Sequence, residues 1–296
     1  RRNKKILWKC SLGNTILEVL NNREGWASTT GDDWSFFWVT REWMNNSFDK
    51  YKFRDRQFVC HFRNDSELTR KDMLIKNFKK AKRLLEKENP LEASKMQYIP
   101  ASYVLPAEYH LFVEEFRKYP PDTIWIMKPV AGAQGKGIFL FKKLKDITEW
   151  KKGNNALGDA QPYVVQSYIS QPYLIGLKKF DVRIYLLVTS DPHCFELYGY
   201  DILLDERLKP WLLEVNASPS LTASSQEDFE MKYRILSHML DVLDLENKLT
   251  GNEVNVGGFD LLIRNNEPVE IPCAIRTGRS AAFFQPTLNV RLGLFP

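Results

Sequence analysis

Two carboxylates and an amide in the second half of the chain have the types and spacing of a divalent-cation site. Glu214 and Asn216 alternate along the strand-like run Pro210–Pro219 and so share one face, while Trp211, Leu213 and Val215 take the other. Upstream, Tyr198-Gly199-Tyr200-Asp201-Ile202 leads to the turn Asp205-Glu206-Arg207, which can return the chain antiparallel and bring Asp201 beside Glu214. Two carboxylates with an amide oxygen are hard ligands suited to Mg²⁺, which keeps several waters and shares oxygens with substrate phosphates.

A second strand carries charge in line. In Lys179–Val188 the even positions Phe180, Val182, Ile184, Leu186 and Val188 predict an apolar core face. Lys179, Asp181 and Arg183 share the other face, as a wet functional cleft requires; the competing reading is a salt-bridge ladder on an exposed sheet. A third feature is the segment Lys128–Gly137, which joins two apolar strands. Its glycines at 132, 135 and 137 let backbone N–H groups approach an anion, and Lys128 and Lys136 add positive charge. It is neither a Walker A loop nor a dinucleotide fingerprint, because no Ser/Thr follows the lysine and a strand follows where a helix should. A bare turn is the competing reading for this segment taken alone.

These residues need strands to hold them, and from Thr123 the chain supplies them in TIWIMK, GIFLF, YVVQSYI, DVRIYLLV, FELYGYDILL and WLLEVN. Before that, residues 1–65 mix aromatic strand-like runs with turns and read as a small α/β lobe. Residues 66–170 read as a central lobe with a helix ending at Asn89-Pro90, in which Leu74, Phe78, Ala81 and Leu85 recur at helical spacing. Residues 171–250 read as a C-terminal lobe closed by a helix from about Gln226 to Lys248, and 251–296 as a poorly ordered tail.

Composition narrows the chemistry further. With 296 residues, 44% hydrophobic and 27% charged, the chain has the balance of a globular protein. Cys10, Cys60, Cys194 and Cys273 form no CxxC pair, and His61, His110, His193 and His238 are scattered, which argues against a zinc centre or a Cys/His nucleophile. No apolar run spans a bilayer and no secretory signal is evident, so the expectation is a soluble, cytoplasmic protein without membrane insertion. The net charge of +5 is mild, but Arg70–Lys87 concentrates basic residues and suits an acidic partner, a solvated helix face being the alternative. Aromatic residues do not interleave with that run, so nucleic acid is not the expected partner.

The chain resembles the tubulin tyrosine ligase-like family, most closely its short glutamate-adding branch. The resemblance covers roughly residues 5–250. It is carried by Leu68-Thr69-Arg70-Lys71-Asp72, Trp125–Pro129, Gly135–Ile138, Lys179–Arg183, Tyr198–Asp201 and Leu213–Ser220. It implies an ATP-grasp fold of class α/β, with a small N-terminal α/β lobe, a central lobe and a C-terminal lobe of antiparallel strands plus helices. It also implies an ATP-dependent carboxylate–amine ligase: ATP phosphorylates a glutamate side chain in the acidic C-terminal tail of tubulin, and free L-glutamate attacks the acyl phosphate.

The same resemblance implies roles for individual residues. Asp201, Glu214 and Asn216 hold Mg²⁺. ATP is bound by Lys128, Gln134, Gly135, Lys136, Gly137, Gln166, Ser167, Tyr168, Ile169, Lys179, Asp181 and Arg183. Arg183, Lys136 and Glu214 carry the catalytic role, Arg183 by steadying the transferring phosphoryl group. Arg70 and Lys71 become the seat for the acidic tail. Location on the cytoskeleton, in cilia or flagella and at basal bodies is implied likewise.

The chain also departs from the family. A long block, carrying a further arginine and an acceptor-binding loop, separates the K-F-D-x-R and Y-G-Y-D strands of the family. Here only Thr189–Cys194 lies between them, and the tail from Asn265 resembles nothing in the family. The alternatives are therefore a catalytically impaired, microtubule- or cilium-associated binding protein, or a ligase for glycine or tyrosine.

Overall fold

The computed structural model describes residues 5–132, 135–147, 162–189, 192–217, 220–265 and 267–269. Contacts divide the chain into two units, each assembled from separated segments rather than from consecutive lobes.

One unit gathers the described residues within Arg1–Arg63, Leu187–Glu196 and Ser220–Pro296. Its sheet contains β1 (Ile6–Cys10), β2 (Trp26–Ser28), β3 (Phe36–Trp38) and β4 (Phe58–Val59), all parallel, in the order β2-β1-β3-β4. All three residues of β3 are buried, as expected for a parallel strand covered on both faces. Helices α1 (Thr15–Asn22) and α2 (Arg41–Ser47) begin at Asn14 and Thr40, whose side chains accept from Ile16 N and Trp43 N. Phe195 joins this core from far along the chain: its N–H donates to Val59 O and its ring stacks on Phe36. Helix α7 (Gln226–Leu243) packs on α1, and Arg23 donates to Asp241 and Glu246. After it come two short hairpins, β14 (Asn255–Val256) with β15 (Phe259–Asp260) and β16 (Ile263–Arg264) with β17 (Glu267–Pro268). The last residues of the expected tail, 270–296, lie outside the described residues.

The second unit, Asn64–Leu186 and Leu197–Pro219, holds every described residue proposed for catalysis. Helix α3 (Ser66–Thr69) and the long α4 (Lys71–Glu88) are separated by Arg70 in extended conformation. Asn89 ends α4 and caps α5 (Pro90–Lys95), whose first residue is the proline that cannot continue α4. Strands β5 (Ser102–Leu105), β6 (Trp125–Pro129), β7 (Phe139–Phe141) and β8 (Tyr163–Ser167) form an antiparallel sheet in the order β5-β8-β6-β7.

Period-2 alternation gives this sheet two unlike faces. Trp125, Met127, Phe141, Val165 and Leu105 pack with Phe112 of α6 (Tyr109–Phe116) into the main core. The other face presents Val104 and Val164, covered with Val130 by Ile75 of α4, and beside them the polar residues Ser102, Gln166 and Lys128. Leu74, Phe78 and Leu85, expected on the inner face of α4, are only partly buried, and Ala81 is exposed.

The remaining strands are the hairpin β9 (Leu174–Ile175) and β10 (Lys178–Lys179), and a three-stranded sheet of β11 (Val182–Val188), β12 (Glu196–Leu204) and β13 (Pro210–Ala217) in that order. The apolar face expected on β11 is not a buried core face. Val182 is 36% exposed and Ile184, Leu186 and Val188 are partly exposed. The reason is position: β11 is an edge strand, so alternation along it is not matched by a covering layer among the described residues.

Candidate active site

Strands β12 and β13 pair antiparallel with Asp201 directly opposite Glu214. Immediately beyond, Ile202 pairs with Leu212, so Leu213 is the extra residue of a β-bulge next to the carboxylates. Gly199 lies opposite Asn216, on the same face as Asp201. With no side chain on Gly199, the Asn216 amide leans diagonally to Asp201. Its Nδ2 lies 3.1 Å from Asp201 Oδ2 and 3.3 Å from Glu214 Oε1. The three residues picked out as hard ligands therefore form one contact cluster. Asn216 turns its amide nitrogen inward to join two anions, an orientation set by hydrogen bonding, and rotation of the amide would present the oxygen instead.

Cations surround this cluster. The Arg183 guanidinium makes a two-pronged contact with Asp201, through Nε to Oδ1 and at 3.0 Å from the second nitrogen to Oδ2. Asp201 itself is buried. On the other side, Lys71 Nζ lies 3.4 Å from Glu214 Oε2 and donates to Gly132 O at 3.2 Å. Burial pushes the Glu214 carboxyl up, but Lys71, Asn216 and Asp201 together outweigh it and hold the group below its ordinary range.

Beside the carboxylates, Lys128 Nζ donates to Gln166 Oε1 at 3.0 Å, and Gln166 Nε2 donates onward to the Ser102 hydroxyl at 2.9 Å. Gln166 and Ser102 are buried. Burial pushes the Lys128 ammonium down to about 8; Glu214 opposes that shift, and Lys71 and Lys179 add to it. Lys71 and Lys179, both close enough to act on the Lys128 ammonium, form with it a cradle suited to an anion such as a phosphate chain. Lys179 Nζ lies 5.3 Å from the centre of the ring of Tyr168, two residues past Gln166.

The glycine hairpin connects β6 and β7. Gly135 and Gly137 have φ of +73° and +74°, a region that favours glycine. A side chain on Gly132 would meet Pro129 Cγ at 2.7 Å, so the turn folds tightly over β6. Lys136 is exposed in this turn, and Gln134 lies outside the described residues. Ser167 at the end of β8 and Tyr168 and Ile169 after it are partly buried, and Asp181 is exposed just before β11.

Lys71 and Arg70, grouped by their basic surroundings in the sequence, separate in the structure. Arg70 pairs with Asp72 on the surface, whereas Lys71 reaches the carboxylate cluster. Sequence reasoning did not single out Lys71 in this role, nor Ser102 and Gly199. The alternation of Gly199 with Asp201 was a usable signal for the last of these.

The donor set fits a hard divalent cation: two carboxylates bridged by one amide, one bulge away from an apolar strand end. The residue pattern of the tubulin-tyrosine ligase family matches this chain over residues 50–193 and 189–250. A Caenorhabditis elegans protein named probable tubulin polyglutamylase ttll-9 is 52% identical over 388 aligned positions, covering 99% of this chain and 93% of that protein. The probable tubulin polyglutamylase TTLL9 of Bos taurus is 38% identical, covering 89% and 85%, and the probable alpha-tubulin polyglutamylase Ttll1 of Tetrahymena thermophila is 30% identical, covering 88% and 93%. Against the 296 residues of this chain, the 388-position alignment leaves at least 92 positions that face no residue here. The chain belongs to the tubulin-tyrosine ligase family.

Proposed function

We propose that this chain is an ATP-dependent ligase that adds glutamate to glutamate side chains in the acidic tail of tubulin. The observation that carries the reading is the Asp201–Glu214–Asn216 cluster on paired strands, faced by Lys71 and Lys128. Asp201, Glu214 and Asn216 would hold Mg²⁺, which supplies charge neutralisation for the β- and γ-phosphates of ATP. Lys128 and Lys71 bind those phosphates from the sheet and from the start of α4. Gly132, Gly135 and Gly137 belong to the turn that would cover them, and Gln166 to Ile169 with Lys179 take the base side. Arg183, already aimed at the cluster, steadies the charge on the transferring phosphoryl group as the acceptor carboxylate displaces ADP. The amine of free glutamate then displaces phosphate from the acyl phosphate. Relatives named as tubulin polyglutamylases support tubulin as the substrate and the cytoskeleton as the place of action; cilia, flagella and basal bodies rest on the family resemblance alone.

A second reading has its own support. The family pattern matches in two stretches that meet at residues 189–193, and the alignment to the worm relative has at least 92 unmatched positions. A core of this kind can bind ATP yet lack what completes transfer, and act instead as a microtubule-associated binding protein.

Glu214→Gln tests the first reading. The expected result is Mg²⁺-dependent ATP binding by the unaltered chain in titration calorimetry, lost in the variant, together with glutamate incorporation into tubulin that the variant lacks. Incorporation that persists in Glu214→Gln overturns the assignment. Binding without any incorporation by the unaltered chain selects the second reading.

A further inference from the structure

Helix α4 does more than deliver Lys71. Lys76, Lys80, Arg83 and Lys87 recur at steps of four, three and four residues, and all four are exposed. At 100° per residue they fall within one narrow stripe along the outer face, opposite the partly buried Leu74, Phe78 and Leu85. Among the described residues no ion pair takes any of the four heads. Lys79, by contrast, is held by Glu108 at 3.0 Å and by the Tyr103 ring, and Arg70 is held by Asp72. Of the acidic residues of the helix, Asp72 lies one turn before Lys76 on the same side but is committed to Arg70, while Glu86 and Glu88 lie off the stripe and flank its far end.

We propose that this stripe is a docking surface for an extended acidic polypeptide. The geometry favours that partner. From Lys76 to Lys87 the helix rises about 16 Å, the reach of about five residues of extended chain. The cations stand roughly 6, 4.5 and 6 Å apart along the axis. Alternate side chains of an extended strand stand roughly 6.6 Å apart, so about three same-side carboxylates of such a segment fall among the four cations. Single-stranded nucleic acid would call for aromatic platforms, and no aromatic residue lies in the stripe.

The proposal rests on the ligase reading only for the identity of the partner. The stripe would hold the part of the acidic tail that lies outside the active site, so that Lys71 serves the phosphates and its neighbours on α4 serve the acceptor chain.

The test uses the full chain, without ATP, and a fluorescein-labelled oligoglutamate peptide followed by anisotropy. The variant K76E/K80E/R83E/K87E is expected to weaken binding about tenfold or more, as the loss of four exposed ion pairs implies. The alanine set at the same four positions, which favours the helix, is expected to weaken it in the same direction. The control K142E/K143E/K145E/R207E changes net charge equally at other exposed cations and is expected to shift binding less than about twofold, because such charges are screened beyond a Debye length. Equal losses in stripe and control variants, or no loss in the alanine set, overturn the proposal. Displacement of the peptide by a single-stranded oligonucleotide at lower concentration than by unlabelled oligoglutamate overturns the class of partner. Because MgATP binding is read separately and is expected to survive in the stripe variants, failure here is distinguishable from failure of the Glu214 test.

Discussion

Lys71 Nζ lies 3.4 Å from Glu214 Oε2 and joins the start of α4 to the middle of β13. The same ammonium donates to Gly132 O, so one side chain ties the carboxylate cluster to the glycine turn. Lys71 pairs with Glu214 and Arg183 with Asp201, so each of the two facing carboxylates has its own cation.

Lys71→Met is therefore expected to weaken MgATP binding about tenfold, the usual consequence of losing a hydrogen bond to a charged group. Arg70→Met, one residue away, removes only the pair with Asp72 on the surface and is expected to leave the affinity unchanged. Titration calorimetry on both variants checks this. Equal losses would return Lys71 to the general basic surface.

How far the site was legible follows from these residues. Asp201, Glu214 and Asn216 were readable because strand alternation and an intervening turn define their pairing, and the observed register puts 201 opposite 214. Lys71 was not readable. Its sequence neighbours are basic, and only the break in helix at Arg70 together with tertiary packing turns it inward. The strand order was likewise visible only in part: β6, β7, β8, β12 and β13 each stand where an apolar run predicted a strand. The division into units was not, because Leu187–Glu196 joins the N-terminal sheet through Phe195 and Val59, a contact no local pattern encodes.

Lys128 makes a prediction about pH. Its folded value near 8 lies below that of an unfolded lysine, so between those values the unfolded chain holds more protons and stability rises with pH. Lys128→Met is expected to abolish that rise. At pH 7 it should stabilise the ligand-free protein by about 1–3 kcal/mol, because a buried charge with incomplete pairing is removed. MgATP binding should be lost at the same time. Melting temperatures from pH 7 to 10 check the first part, and calorimetry the second. A variant less stable than the parent at pH 7 would mean that Lys128 is better paired than its surroundings indicate.

The glycine turn separates two kinds of constraint. An added Cβ at Gly132 meets the Pro129 ring at 2.7 Å and the Lys136 carbonyl at 3.6 Å, and neither is the end of a flexible side chain. Gly132→Ala is expected to cost about 1–3 kcal/mol and to move the carbonyl that Lys71 holds, lowering MgATP affinity. Gly135 has φ +73° with open space around it, so Gly135→Ala carries only the left-handed penalty of about 1–2 kcal/mol. Affinity falling in Gly132→Ala more than in Gly135→Ala, at matched loss of melting temperature, is the expected pattern.

Asn216→Asp asks whether the cluster is built for a cation. The Asn216 amide nitrogen donates to both Asp201 and Glu214, so a carboxylate there replaces two attractions with two repulsions at contacts of 3.1 and 3.3 Å. Three clustered carboxylates cannot all ionise cheaply, and at least one has its pKa raised. The unfolded chain then releases protons more readily than the folded one, so stability of this variant falls as pH rises from 4 to 7, by about 1–3 kcal/mol. A divalent ion supplies the missing positive charge, so millimolar Mg²⁺ or Ca²⁺ should restore the melting temperature at pH 7 in the variant, and by more than it raises that of the parent. Differential scanning calorimetry with and without the ion decides it. If the variant loses stability and neither ion restores it, the three oxygens do not converge on a common point, and the metal assignment fails even though the residues touch.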